Sequence, residues 1–261
     1  GVVGEDSFVE IEMRRGMRQL AYVSTQGAEF LFPDHFAIEN VPDGTKFGEF
    51  EAVFTAGRLP SLFQSIAGGR ALGMNPIGAF GAAWDDSGLH NETFWLGWSA
   101  VASWAWHPGA PAPEQHAVEF MRAYYGEGSS GLVDVYRALQ RQARAWQRTW
   151  DRVVSRVRGP GYGNSDGKGI GTARHDLVLE PPPLPSESTL AFQPRFATRY
   201  KPWIAEAASL NLQNDQLVHS LHQSMLDVRR NRYSLEVFLA LARFAGHHWN
   251  LLLSLSAAEK D

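Results

Sequence analysis

Short apolar runs dominate the first part of the chain and predict β-strands. Four such runs cover residues 8–13, 19–24, 51–55 and 77–83, and charged residues, glycine or proline separate them. A helix predicted over 61–71 carries an apolar stripe suited to packing on a sheet. A strand, a helix and a second strand within about 30 residues are typical of a βαβ unit, whose two strands are parallel.

From Trp95 onward the apolar positions recur with the period of a helix. Five helices are predicted, at residues 95–106, 115–125, 132–157, 203–229 and 234–256. The last two are separated by a very short segment, so their apolar faces predict an antiparallel helical hairpin. Residues 159–189 are rich in glycine and proline, which indicates a linker.

Acidic and aromatic residues are concentrated just after the run at 77–83. Within one loop and one helical turn the chain carries Trp84, Asp85, Asp86, His90, Asn91, Glu92 and Trp95. Polar residues gather in this way where a buried strand ends at a site. Carboxylates bind sugar hydroxyls and an indole packs on the apolar face of a sugar ring, so the stretch indicates a carbohydrate site.

The same stretch also fits the start of a helix. Asp85, Asp86 or Ser87 would then be the N-cap, Glu92 would be favoured by the helix dipole, and the tryptophans would belong to the core. Capping needs one acid, whereas the stretch supplies three. This excess favours the binding site over the capping interpretation.

The order of these residues resembles a known family. A GxxxxxWDD pattern ends at Asp86 and is followed by a short acidic loop and by an aromatic helix start that leads into Ala100 and Trp106. This order is similar to the last barrel strand and helix of family 20 glycoside hydrolases, the β-N-acetylhexosaminidases. The resemblance covers residues 50–107. It implies that Trp84 walls the acetamido-sugar pocket and that Asp86 holds sugar hydroxyls, with Asp85 where that family usually has glycine.

The resemblance also implies a mechanism. In that family the 2-acetamido oxygen of the substrate is the nucleophile, assisted by an adjacent Asp-Glu pair in which Glu is the general acid. No Asp-Glu dipeptide occurs in this sequence. One hypothesis places the pair in an upstream half of the same polypeptide, with Asp86 and Glu92 as hydroxyl ligands and Trp95 as a pocket wall. In the other, Asp86 and Glu92 are themselves the catalytic pair. Under both, Asp85, His90 and Asn91 contribute to substrate binding.

Composition narrows the class of protein. The chain has 261 residues, 44% of them hydrophobic, which is enough for a substantial core. A formal net charge of -4 argues against a nucleic-acid partner, and no apolar run approaches the length of a membrane span. The absence of cysteine excludes disulfides and thiolate metal sites.

The pair His219 and His222 has a spacing that metal ligands use on helices. No acid completes a ligand set, so capping and packing roles are favoured for these histidines, and we expect neither metal nor cofactor.

Together these features predict an α/β fold, the C-terminal portion of a TIM-type (β/α)8 barrel followed by an all-helical region. The predicted units are a partial barrel at 1–107, a helical extension at 108–158, a linker at 159–189 and a helical hairpin at 190–261. The predicted function is that of a glycoside hydrolase acting on N-acetylhexosamine-containing glycans, to which this chain contributes the sugar-binding part of the active site. The alternative is a non-catalytic carbohydrate-binding or helical interaction module.

Overall fold

The structure is a computed structural model. It describes residues 18–24, 38–39, 76–82, 91–107, 111–149, 197 and 201–258. Within these ranges it has a pair of β-strands, five α-helices and two short 3-10 helices. The elements are β1 (Gln19–Ser24), β2 (Pro76–Ala82), a 3-10 helix (Asn91–Thr93), α1 (Trp95–Trp106), α2 (Pro113–Tyr125), a 3-10 helix (Ser129–Gly131), α3 (Leu132–Thr149), α4 (Lys201–Asp227) and α5 (Arg232–Ala258).

The two strands lie where apolar runs predicted them. They pair in parallel, with Leu20 opposite Gly78 and Ser24 opposite Ala82. The sequence instead suggested a partner strand at 51–55 and a connecting helix at 61–71, and both of these lie outside the described residues. The parallel orientation requires a crossover connection between the strands.

The prediction of a TIM-type barrel portion is wrong for the part of the chain that the structure describes. That part is predominantly helical, and its β-structure is limited to the pair formed by β1 and β2. The physical reason is that the apolar faces of the helices bury one another. Leu96 of α1, Tyr136 of α3 and Phe238 of α5 belong to the same buried cluster, so the core lies between helices and not inside a barrel of strands.

The helix ends follow from local sequence. Pro113 at the first position of α2 lacks the N–H that would have no partner there. The helix ends at Gly126, whose φ of 111° is accessible mainly to glycine. Between α4 and α5, Asn231 has a φ of 53°, a left-handed conformation that asparagine tolerates better than most residues. These two positions fix where α2 ends and where α5 begins.

The predicted antiparallel hairpin of α4 and α5 is present. The side-chain amide of Asn214 donates to the carbonyl of Ala242 at 2.8 Å, and that of Asn211 donates to Oδ1 of Asn250 at 3.1 Å. An earlier residue of α4 therefore pairs with a later residue of α5. No helix within the described ranges is both long and apolar enough to span a membrane.

Candidate functional site

Three of the predicted site residues are placed by the structure. Asn91 and Glu92 form the 3-10 helix that precedes α1, and Trp95 is the first residue of α1. The other four predicted residues lie outside the described part of the chain; they are Trp84, Asp85, Asp86 and His90. Because Asp86 is among these four, the pairing of Asp86 with Glu92 stays a prediction.

The start of α1 is held by buried neighbours. Phe94 and Thr93 are both 1% exposed, and the N–H of Phe94 donates to the carbonyl of Asn91 at 3.0 Å. The alternation of buried and exposed residues here brings Trp95 to the surface, where it is 41% exposed. An anchored backbone thus presents a half-exposed indole beside an acidic residue, Glu92.

Three aromatic side chains form what we call the aromatic ledge, consisting of Trp95, Trp98 and Tyr124. The rings of Trp95 and Trp98 meet edge to face with centroids 4.9 Å apart, and the ring of Tyr124 lies 6.4 Å from that of Trp95. Phe120 stacks on Tyr124 at 5.0 Å from within α2. Packing of this kind restricts ring motion, so the exposed indole is held in a defined orientation.

Three tyrosine hydroxyl groups, one of the ledge and two of the adjoining core, make hydrogen bonds. The hydroxyl of Tyr124 lies 3.0 Å from Oγ of Ser234, and the hydroxyls of Tyr125 and Tyr136 are 2.8 Å apart. Burial raises the pKa of each of these three tyrosines, and the negative charge of Glu92 adds to the rise in pKa of Tyr124 and Tyr125. They therefore remain neutral phenols that donate and accept hydrogen bonds at ordinary pH.

The sequence interpretation missed Tyr124 and Ser234. They come from the end of α2 and the start of α5, which meet the start of α1 only in the folded chain. The signal that was present is the adjacent pair Tyr124 and Tyr125, because two consecutive tyrosines in an amphipathic helix place one ring at the edge of its buried face.

A groove lies at the other end of α1, against the start of α2. Its volume is about 620 Å³, and its lining comprises Ser103, Trp106, His107, Pro111, Gln115 and Glu119. Trp106 is 91% exposed. The indole Nε1 of the neighbouring Trp104 donates to the carbonyl of Pro111 at 3.1 Å, which ties the segment after α1 to the helix.

Two histidines of the described residues, His116 and His248, are buried. Burial lowers the pKa of His116, and its Nε2 lies 3.0 Å from Oγ of Ser99 at the contact between α1 and α2. His222 is exposed, and Arg243 donates to its Nε2 at 3.1 Å. No group of three or more potential metal ligands occurs within the described ranges.

Comparison of the chain with family models, curated proteins and solved structures finds no match. The chemistry of the site therefore has to be inferred from its residues. An oriented indole, an adjacent carboxylate and a phenol hydroxyl suit a ligand that has both an apolar face and hydroxyl groups around its edge.

Proposed function

We propose that the chain provides the sugar-binding surface of a glycoside hydrolase that acts on N-acetylhexosamine-containing glycans. The observation that carries the proposal is the half-exposed Trp95, held against Trp98 and Tyr124 in the element that also contains Glu92. The sequence resemblance over 50–107 supports the choice of sugar. The proposal depends on the aromatic ledge and needs no barrel.

Each group of the site has a role with such a ligand. The apolar face of a pyranose ring packs on the indole of Trp95, which removes apolar surface from water on both partners. The carboxylate of Glu92 accepts hydrogen bonds from sugar hydroxyls, and these bonds are strong because the acceptor is charged. Tyr124 contributes a neutral hydroxyl to the same ligand.

For hydrolysis, we propose that Asp86 and Glu92 act together as the carboxylate pair. One carboxyl group protonates the leaving oxygen as the glycosidic bond breaks, and the other orients the substrate's 2-acetamido oxygen, which attacks the anomeric carbon. Water then opens the cyclic intermediate and releases the sugar. Asp85, His90 and Asn91 hold the substrate, and Trp84 supplies a second apolar wall. These roles remain part of the proposal.

Binding is tested by titrating the full chain with oligomers of β-1,4-linked N-acetylglucosamine and measuring the heat of binding by calorimetry. We expect Trp95→Ala to weaken affinity by about tenfold, as for a central aromatic contact. Phe244→Ala is the matched control, because Phe244 is a 53% exposed aromatic residue on α5 and not part of the ledge. Absence of binding by the unsubstituted chain would refute the proposal.

Hydrolysis is tested separately with a chromogenic N-acetyl-β-glucosaminide across a range of pH. We expect Glu92→Gln and Asp86→Asn each to reduce turnover by about 100-fold or more, the usual effect of removing a general acid or base. Sugar binding without turnover at any pH would support the second candidate, a non-catalytic carbohydrate-binding module. That candidate does not need the barrel that the resemblance implies, and the described residues are predominantly helical.

A further inference from the structure

A second exposed tryptophan lies on the same helix as Trp95. Trp106, the last residue of α1, is 91% exposed and lines the groove against α2. A fully exposed indole offers a ligand a large apolar area, and covering that area is favourable. The ledge at the start of α1 does not account for this residue.

The two tryptophans point to the same side of α1. Their positions differ by eleven, which corresponds to about three turns of helix, a rise of about 16 Å and a rotation of only about 20°. Ala102, which is exposed, lies between them on that side. Leu96, Ala100 and Trp104 are buried, so the opposite side of the same helix faces the core.

The residues between the two tryptophans on this side of α1 are small, so little side-chain bulk projects there. Ser99, Ala102 and Ser103 have short side chains, and Ala102 is exposed. Ser99 lies toward α2, since its Oγ donates to the carbonyl of Leu96 at 2.8 Å and is 3.0 Å from Nε2 of His116. Trp98, on the other side, packs against Trp95. The resulting surface, which we call the tryptophan strip, comprises Trp95, Ser99, Ala102, Ser103 and Trp106.

Helix α2 borders the strip with polar groups. At the Trp106 end, Gln115 and Glu119 line the groove, and Nε2 of Gln115 donates to Oε1 of Glu119 at 2.8 Å. At the Trp95 end, the bordering residue is Tyr124. This antiparallel arrangement gives the strip an aromatic platform at each end and hydrogen-bonding side chains along one edge.

We infer that the tryptophan strip binds an extended glycan chain, with one sugar ring on Trp95 and a second ring of the same chain on Trp106. The inference rests on the proposed function and specifies its ligand as an oligosaccharide. Gln115 and Glu119 hydrogen-bond to hydroxyls of the ring on Trp106. The groove is preorganised, because the N–H of His107 donates to the carbonyl of Ser103 at 3.0 Å and Trp104 holds Pro111.

The test is the dependence of affinity on glycan length, measured from the disaccharide to the hexasaccharide of N-acetylglucosamine. We expect affinity to rise with length for the unsubstituted chain, because the second platform adds an intramolecular contact. Trp106→Ala should weaken the affinity for the hexasaccharide by about tenfold and should change the affinity for the disaccharide by less than about twofold. Trp95→Ala should weaken binding at every length.

Ala102→Arg provides a second variant, because a long charged side chain at an exposed position in the middle of the strip should obstruct only the longer oligomers. Phe244→Ala should retain the full length dependence. An equal gain of affinity with length in Trp106→Ala and in the unsubstituted chain would overturn the inference while leaving the proposed function intact. Absence of binding at all lengths would instead refute the proposed function.

Discussion

Gln142 of α3 and Trp249 of α5 are joined by a buried hydrogen bond. The indole Nε1 of Trp249 donates to Oε1 of Gln142 at 2.8 Å, and the amide Nε2 of Gln142 donates to the carbonyl of Leu210 at 3.1 Å. Gln142 is 1% exposed and Trp249 is fully buried. One amide group therefore connects α3 to both helices of the hairpin.

Replacing Gln142 by Leu introduces an apolar side chain of similar size and removes both bonds. The indole N–H of Trp249 would lose its partner in the core, whereas the carbonyl of Leu210 lies inside α4 and still accepts the helical N–H four residues on. We expect the free energy of unfolding to fall by about 1 to 3 kcal/mol, the cost of one unsatisfied buried group. Urea titration measures this change.

The control for this variant is Gln213→Leu. Gln213 is exposed on α4, where it bonds to Ser209 at 3.0 Å, so its replacement should alter the free energy of unfolding by no more than about 0.5 kcal/mol. Equal effects of the two substitutions would show that the buried amide does not hold the hairpin to α3.

A close approach between Asn214 and Gly246 fixes the distance between α4 and α5. A Cβ atom at position 246 would lie 2.9 Å from Nδ2 of Asn214, whose hydrogen bond to Ala242 prevents it from moving away. We expect Gly246→Ala to lower the free energy of unfolding by about 1 to 3 kcal/mol, the usual cost of overpacking. Thermal and urea unfolding measure the change.

The sign of this effect should reverse when Asn214 is also replaced. In an Asn214→Ala background there is no amide to displace, and alanine is favoured over glycine inside a helix by about 1 kcal/mol. Gly246→Ala should then be stabilising. As a further control, Gly131→Ala meets no atom within 4 Å and should be nearly neutral. A loss of stability in the Asn214→Ala background would contradict the packing argument.

The helices were accessible from sequence because their signals are local. The apolar period predicted a last helix over 234–256, and the structure has it at Arg232–Ala258. Strand pairing was not accessible, because pairing between distant segments leaves little trace in a single sequence, and the barrel predicted from the strands is wrong for the described residues. Both strands, Gln19–Ser24 and Pro76–Ala82, lie where strands were predicted, but their pairing with each other was not predicted.

The same distinction applies to the site. Asn91, Glu92 and Trp95 are neighbours along the chain, so their grouping could be predicted from sequence. Tyr124 and Ser234 could not be included, because they are 110 residues apart and meet only through the packing of α2 against α5. Periodicity predicts which side of a helix is buried, but not which other helix covers it.

The hydroxyl pair of Tyr125 and Tyr136 should be energetically coupled. Both side chains are buried, and each hydroxyl lies 2.8 Å from the other. We expect Tyr136→Phe to reduce the free energy of unfolding by about 1 to 3 kcal/mol, because it leaves the phenol of Tyr125 short of a partner. Adding Tyr125→Phe should then cost less than it does alone, which a double-mutant cycle measures. Tyr233→Phe, at a 57% exposed position, is the control, and strict additivity of the two core substitutions would contradict the coupling.

His248 should make the protein less stable in mild acid. The side chain is buried against the ring of Trp249, and burial lowers its pKa from 6.5 to about 4. The unfolded chain therefore binds a proton at a higher pH than the folded chain does. The contribution of neutral His248 to the free energy of unfolding is fully present above pH 6.5 and is lost as the pH falls toward 4. The total loss is about 3 kcal/mol.

Urea unfolding at pH 7.5 and at pH 5 measures this dependence. Between these two pH values the free energy of unfolding should fall by about 2 kcal/mol less in His248→Gln than in the unsubstituted chain. The reason is that most of the contribution of His248 disappears in that interval. The remaining dependence includes His116, whose pKa burial also lowers. The neighbouring His247 is exposed, so His247→Gln should keep the pH dependence of the unsubstituted chain. An unchanged difference in His248→Gln would show that this imidazole is solvated enough to titrate normally in the folded protein.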